Sequence, residues 1–429
     1  MIQRRLVLVA AGLLVLPALV LGQVRDRSRA LVEFDREEPP ALTHRLGEHW
    51  SWGGALELDT IVEKNFDLDS STADDLATLE SRVDLGLAYA PRAGLRFYGQ
   101  MELSKGIFLH RESETRDTDT SAKARVRQAY VAMADVYPGV SVQLGRQRFE
   151  DKRDWWYDED LDAARLFLQS GRLGLELSAS RNEVVGADLL NRERARRGSH
   201  YIAVGRYAYA DEAELAAYLI AQDNRAQPAE RPVFFGLRSI GRIASGVEHW
   251  IDAALVRGTD NGRDIRAYGF DVGLDYRFDA PLRPSLLLGT AFGSGGASPE
   301  DAVDREFRQT GLQESYFYYG EVLAPELSNM WIYTAGVKFR PARRTSVRIL
   351  YHLYRQHRPE ARLRDVLIER EPDGVRRDLG EGLDLVTTYS GIRNAYLDFI
   401  VGMFFPGAAF GSGADPAFFG QFLFTYEFW

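Results

Sequence analysis

The chain has 429 residues, 45% of them hydrophobic, a mean hydropathy of −0.28 and a formal net charge of −9. Past residue 22 no apolar run approaches the roughly 20 residues that a membrane-spanning helix requires, so a helical membrane protein is excluded. The acidic balance argues against nucleic acid as a partner, and the lack of cysteine rules out a disulfide framework or a thiolate metal site. A membrane β-barrel fits this composition, because only every second residue of a strand meets lipid.

From the N-terminus, Arg4 and Arg5 precede the apolar stretch Leu6 to Leu21, and Gly22 offers a small residue at a cleavage point. This pattern predicts a secretory signal peptide over residues 1–22 rather than an uncleaved anchor. No Cys follows it, so a lipoprotein is not expected. Residues 23–47 then read as a periplasmic N-terminal segment and residues 48–429 as one outer-membrane barrel.

Beyond residue 48 the chain alternates. Trp50, Trp52, Leu56, Leu58 and Val62 share one parity, and Ser51, Glu57, Asp59 and Glu63 the other. Leu79, Val83, Leu85, Leu87 and Tyr89 alternate with Glu80, Arg82, Asp84 and Gly86. The same holds from Tyr268 to Phe278 and from Trp331 to Arg340. A period of two at such length is strand, not helix.

Short connectors are expected at Pro91–Gly94, Tyr137–Gly139, Ser170–Arg172, Tyr209–Glu212, Gly241–Gly246, Asp279–Pro284, Pro341–Arg344 and Ser390–Asn394. Most hold the Gly, Pro, Asn or Asp that tight turns need. Longer polar loops lie between them, the largest over Gly293–Ser328 and Gln356–Glu381. Eight short turns and nine long loops predict an all-β fold, a single 18-stranded antiparallel transmembrane β-barrel with both termini on the short-turn, periplasmic side. A soluble β-sandwich would have shorter strands and no such alternation of loops. The aromatic end, Phe424 to Trp429, suits a membrane interface.

No enzyme constellation emerges. The seven histidines are scattered, and neither an H-E-x-x-H, a G-x-S-x-G nor a phosphate-binding loop is present. Asp158-Glu-Asp160 reads as a solvated acidic loop more readily than as a Ca²⁺ site. No cofactor is implied. The remaining signal is arginine, with 48 Arg against five Lys. Arg binds carboxylates through a rigid bidentate fork that Lys lacks, although genomic base composition alone produces such a ratio. Arg82, Arg96, Arg165, Arg238, Arg277, Lys338 and Arg348 fall on inward parity, as do Glu57, Asp59, Glu80, Asp84, Glu102 and Glu176. The lumen is therefore expected to be polar with both signs present.

Arg127-Gln-Ala-Tyr130, Tyr137-Pro-Gly139 and Gly145-Arg-Gln-Arg148 resemble the alginate export protein family. The likeness continues through Phe307–Leu312, Pro325–Asn329, Leu383–Val386 and Phe405-Pro-Gly407, in the family's order. The resemblance implies an eighteen-stranded barrel whose arginine-rich constriction passes an anionic polyuronate outward. It further implies basic channel residues at Arg127, Arg148 and Arg355, with Asp158 and Glu183 as acidic partners. Arg146 joins Arg148 in the same motif, yet strict alternation from Val140, Val142 and Leu144 sends both outward. Either a β-bulge near Gly145 resets the face, or both arginines sit at the extracellular rim. Three departures from the pattern stand out. Asp398 and Ile400 replace basic residues, the turn at Ser390–Asn394 is short where those exporters carry a long plug, and Gly86 stands where they have arginine.

These observations predict passive export of an anionic polysaccharide, alginate or a similar polyuronate, along Arg82, Arg127, Arg146, Arg148, Arg165, Lys338, Arg348 and Arg355. Outer-membrane lipid and periplasmic export partners would surround the barrel. A general or small-anion porin on the same scaffold is the alternative. A closed surface or adhesion barrel is another.

Overall fold

The computed structural model of the protein describes residues 42–112, 118–151, 153–184, 186–191, 198–224, 229–296, 302–313 and 316–429. The expected signal peptide, and residues 23–41 of the expected N-terminal segment, lie outside the described residues. Alternating sequence forms eighteen wall strands. The first nine are β1 (Trp50–Lys64), β2 (Leu76–Arg92), β3 (Leu95–Arg111), β4 (Ala122–Tyr137), β5 (Val140–Glu150), β6 (Asp158–Ser170), β7 (Leu173–Arg181), β8 (Gly198–Ala210) and β9 (Ala213–Asn224). The others are β10 (Glu230–Ala244), β11 (Val247–Asp260), β12 (Arg263–Arg277), β13 (Ser285–Gly293), β14 (Met330–Ala342), β15 (Thr345–Gln356), β16 (Asp378–Ile392), β17 (Ala395–Pro406) and β18 (Ala417–Glu427). Consecutive strands pair antiparallel, and β18 closes on β1 from Ala55↔Glu427 to Lys64↔Phe418. Closure leaves no outer edge, so almost all backbone polar groups of the wall are paired between strands, as a span through hydrocarbon demands.

All eight short connectors fall where the turn residues place them. One of the nine loops at the opposite end departs from expectation. β11 and β12 are joined by Asn261-Gly262 alone, with φ of 47° and 83°. Only Asn and Gly take this left-handed pair cheaply, which gives a primed hairpin turn instead of a long loop.

The outer face is apolar. Leu103, Leu177, Leu237, Leu255 and Leu288 stand 40–59% exposed, each on the outward parity of its strand. Exposed leucine in this number is stable only against lipid.

Inside, the two ends of the barrel differ. At the long-loop end, side chains from residues 65–75, 151–157, 294–329, 357–377 and 407–416 pack into the lumen as one apolar cluster. They cover inward residues of β8 to β18, burying Ile202, Phe234, Val256, Ile332, Tyr354 and Phe404 almost completely. Along β1 and β2 several inward side chains keep some exposure, for example 35% for Arg82 and 19% for Glu57, whereas Glu102 and Ser104 of β3 are buried.

At the short-turn mouth, Trp429 departs from the interface position expected of it. Its ring folds inward over Gly86, where a Cβ would meet Trp429 at 2.9 Å, the Tyr98 hydroxyl at 3.1 Å and Leu42 at 3.3 Å. The glycine in place of the family's arginine thus has a steric cause. Thr43 donates to the Trp429 carbonyl and holds the two ends of the described chain together.

Candidate functional site

Arg82 on β2 starts a series of ion pairs that passes around the wall. Its guanidinium meets Glu57 of β1 at 2.6 Å and Asp84 at 3.3 Å. Gln100 donates to Asp84 at 3.1 Å and links this group to β3. Glu102, 3% exposed on β3, accepts from Arg127 at 3.1 Å, and Arg127 also meets Asp160 of β6 at 2.5 Å.

Arg127 reaches so far because the wall is irregular there. The β3·β4 register shifts between Gln100 and Met101, leaving Arg127 as the extra residue of a bulge. Beyond Ala129↔Arg146, β4 then parts from β5. The segment after β7 fills the gap, with Ala187 and Leu189 hydrogen-bonded to Val126 and Ala124.

Arg146 and Arg148 lie in this seam. Arg146 makes a bidentate pair with Asp162 at 2.9 and 3.0 Å, and Arg148 pairs with Asp158. The β5·β6 register runs unbroken past Gly145, so no bulge resets the face. Of the two outcomes foreseen for these arginines, the structure has the rim position, while Gln147 and Phe149 are the buried neighbours on the opposite parity. Asp158 and Asp160 are engaged by guanidinium groups, and no cluster able to hold a metal ion occurs among the described residues.

Arg165 on β6 continues the series. Its Nε and Nη2 donate to Glu176 at 3.0 and 2.8 Å, its charge lies 4.1 Å from the Phe149 ring centroid, and Arg206 of β8 meets the same Glu176 at 3.1 Å. Over β1 to β8, six arginines (Arg82, Arg127, Arg146, Arg148, Arg165, Arg206) meet eight carboxylates (Glu57, Asp84, Glu102, Glu150, Asp158, Asp160, Asp162, Glu176). Sequence parity foresaw both signs in the lumen and some mutual neutralisation, but not that several of these pairs lie in the seam.

The other expected positions are scattered. Lys338 and Arg348 face each other across β14 and β15, beside Asp275. Like charges directly opposite repel, which the neighbouring carboxylate offsets. Glu183 is half-buried in the segment over the seam, one residue before Val184, whose amide donates to Asp162. Arg355 is a correction. It is exposed on the parity of Tyr351, which is 39% exposed on the outer face, so it does not line the lumen. Asp398 is inward as expected, buried and accepting from Thr388 at 2.6 Å.

Sequence reasoning missed the loop over residues 151–157. Asp151 pairs with Arg238 of β10 at 2.9 Å, and Arg153 pairs with Asp271 of β12 at 2.7 Å while lying 4.3 Å from the Trp250 ring centroid. These two pairs strap the loop across the lumen, and its own Trp155 and Trp156 are buried against Phe307, Tyr218 and Phe234. The signal was present: three successive aromatics, Trp155 to Tyr157, ahead of an acidic run require burial.

A family model described as alginate export matches residues 51–418. The alginate production protein AlgE of Pseudomonas aeruginosa is 26% identical over 188 residues, which is 38% of this chain and 37% of AlgE. Among solved structures, OccK11 (OpdR) of Pseudomonas aeruginosa superposes with a TM-score of 0.59 at 13% identity, covering 90% of this chain and 99% of that one. The outer membrane protein OprD of the same organism gives 0.58 at 13% identity, covering 88% and 93%. At these identities the structural likeness is one of fold. The protein is a bacterial outer-membrane barrel built as a transport channel and not as an enzyme, and with the model matched across nearly the whole wall, the chain belongs to the alginate export family.

Proposed function

We propose that the barrel conducts an acidic polysaccharide, alginate or a similar polyuronate, passively outward across the outer membrane. The observation that carries this reading is Arg127, which holds one luminal carboxylate and one seam carboxylate at the position of the R-Q-A-Y motif. A polymer carboxylate reaching such a group displaces a wall carboxylate, so one ion pair is exchanged for another. Because one ion pair replaces another, the net gain of each contact is small, and weak repeated contacts favour passage over trapping. In the same reading residues 1–22 direct secretion, and residues 23–47 stay in the periplasm beside export partners.

Planar-bilayer recording tests this. Short oligouronates added on the short-turn side should block the single-channel current transiently, and Arg127→Ala should shorten the blocks. A second reading, a porin for small solutes, is favoured by the compensated charges along β1 to β8. It takes over if monocarboxylates pass while oligouronates neither block nor permeate. A barrel with no conductance at all would sink both and leave the closed surface barrel, towards which the loops packed into the long-loop half already lean.

A further inference from the structure

The wall carries a hollow of about 480 Å³ on its lipid-facing side, across β6 to β9. Its floor is made of short side chains in neighbouring register positions: Ala164 opposite Ala179, and Ala203 opposite Leu177. Tyr201, Leu177 and Leu219 rise around it, 55%, 40% and 38% exposed. The taller outward side chains of the neighbouring register positions leave these alanines as the low part of the surface.

The depth of the hollow follows from β7. This strand has nine residues, Leu173 to Arg181. At about 3.3 Å per residue and a tilt of about 40° it rises roughly 23 Å, close to the apolar band of about 25 Å. Arg181 therefore ends the strand at the outer-leaflet boundary. It shares outward parity with Leu177 and Ala179, is exposed, and makes no ion pair among the described residues. Its register partner Asp162 is already held bidentately by Arg146.

We propose that this hollow binds one acyl chain of a phosphorylated glycolipid of the outer leaflet, with Arg181 as the phosphate contact. Three features select that occupant. The cavity faces hydrocarbon, so an alkyl chain fills it without desolvating anything polar. Its lining reaches Ala179, two residues below Arg181 on the same outward parity. Arg181, the cation at that end with no ion pair among the described residues, is a guanidinium, whose planar fork matches phosphate. The site does not depend on what the lumen carries.

Native mass spectrometry of the full barrel in mild detergent tests the assignment, with three probes: lipid A, dephosphorylated lipid A and phosphatidylethanolamine. Heat-modifiable gel mobility confirms the fold of each variant. The wild type should retain one lipid A in preference to either other lipid. Ala203→Leu and Ala179→Leu, which fill the hollow from an open face, should lower the retained fraction of every acyl probe about tenfold. Arg181→Glu should lower lipid A about threefold and leave dephosphorylated lipid A unchanged. Equal retention by wild type and Ala203→Leu overturns the site, and equal retention of phosphorylated and dephosphorylated lipid overturns the role of Arg181. A mass of two chains, lost in Ala203→Leu, would show that a second copy occupies the hollow, and it also overturns the proposal.

Discussion

Glu102→Gln isolates the charge balance of the lumen. The amide keeps the shape of the side chain and can still accept from Ser104, which lies 3.3 Å away. Arg127 retains Asp160 at 2.5 Å, so the guanidinium is not stranded and the barrel should fold. The wall loses one negative charge beside Arg127 and Arg82. For a monovalent ion passing about 7 Å away, Coulomb's law gives about 0.6 kcal/mol at the dielectric of water and about 2.4 kcal/mol at an effective value of 20. Screening over the ~10 Å Debye length of 0.1 M salt roughly halves both. The anion should therefore gain about 0.3–1.2 kcal/mol, a factor of about 1.6 to 8 in its entry relative to wild type. Zero-current potentials across a tenfold KCl gradient read this directly, and Glu102→Gln should move them towards anion preference. At 1 M salt the Debye length falls to about 3 Å and most of the shift should vanish. An unchanged potential, or a shift that survives at 1 M, would refute the view that the wall carboxylates set selectivity.

Three further outcomes are expected. Arg146→Ala leaves Asp162 without its bidentate partner in the seam, a loss in the range of about 3–5 kcal/mol for a buried pair, and should lower the urea midpoint of unfolding in detergent. Gly86→Arg should destabilise the barrel because its side chain meets Trp429, and Gly86→Arg with Trp429→Ala should recover much of the loss in thermal melts read by gel mobility. The carboxyl of Asp154, in the loop strapped across the lumen, is pushed up to about 9 by burial and then by the charges of Asp158, Asp151 and Glu150. A carboxyl raised in the folded state binds its proton more tightly there than in the unfolded chain, so its stabilisation is present below about pH 4 and declines as pH rises towards 9. Channel noise from the loop should grow as pH rises from about 5 to 9 in the wild type, level off above that, and stay flat in Asp154→Asn.

What the sequence made legible is what periodicity encodes. Alternation and turn chemistry located every short turn, because Gly, Pro, Asn and Asp act locally there. The Asn261-Gly262 hairpin escaped notice since a regular long–short pattern was imposed on a pair of residues that encodes a tight turn by itself. The site was less legible for a different reason. Parity marks which face a residue takes, but not which partner it meets across three strands, and Arg127 reaches Asp160 only because β4 and β5 separate. Arg355 shows the limit of transferring roles by motif: one position off the inward register places it on the outer face. The inward fold of Trp429 depends on a glycine more than three hundred residues away, and no local pattern carries that information.

The pairing of six arginines with eight carboxylates over β1 to β8 has an evolutionary reading. A wall in which the two signs interleave is tuned in small steps. One substitution shifts the field that a passing solute meets, while closure and the apolar exterior are untouched. Descendants of one barrel can diverge in cargo by single steps without losing the fold, which makes the scaffold easier to inherit than any one specificity.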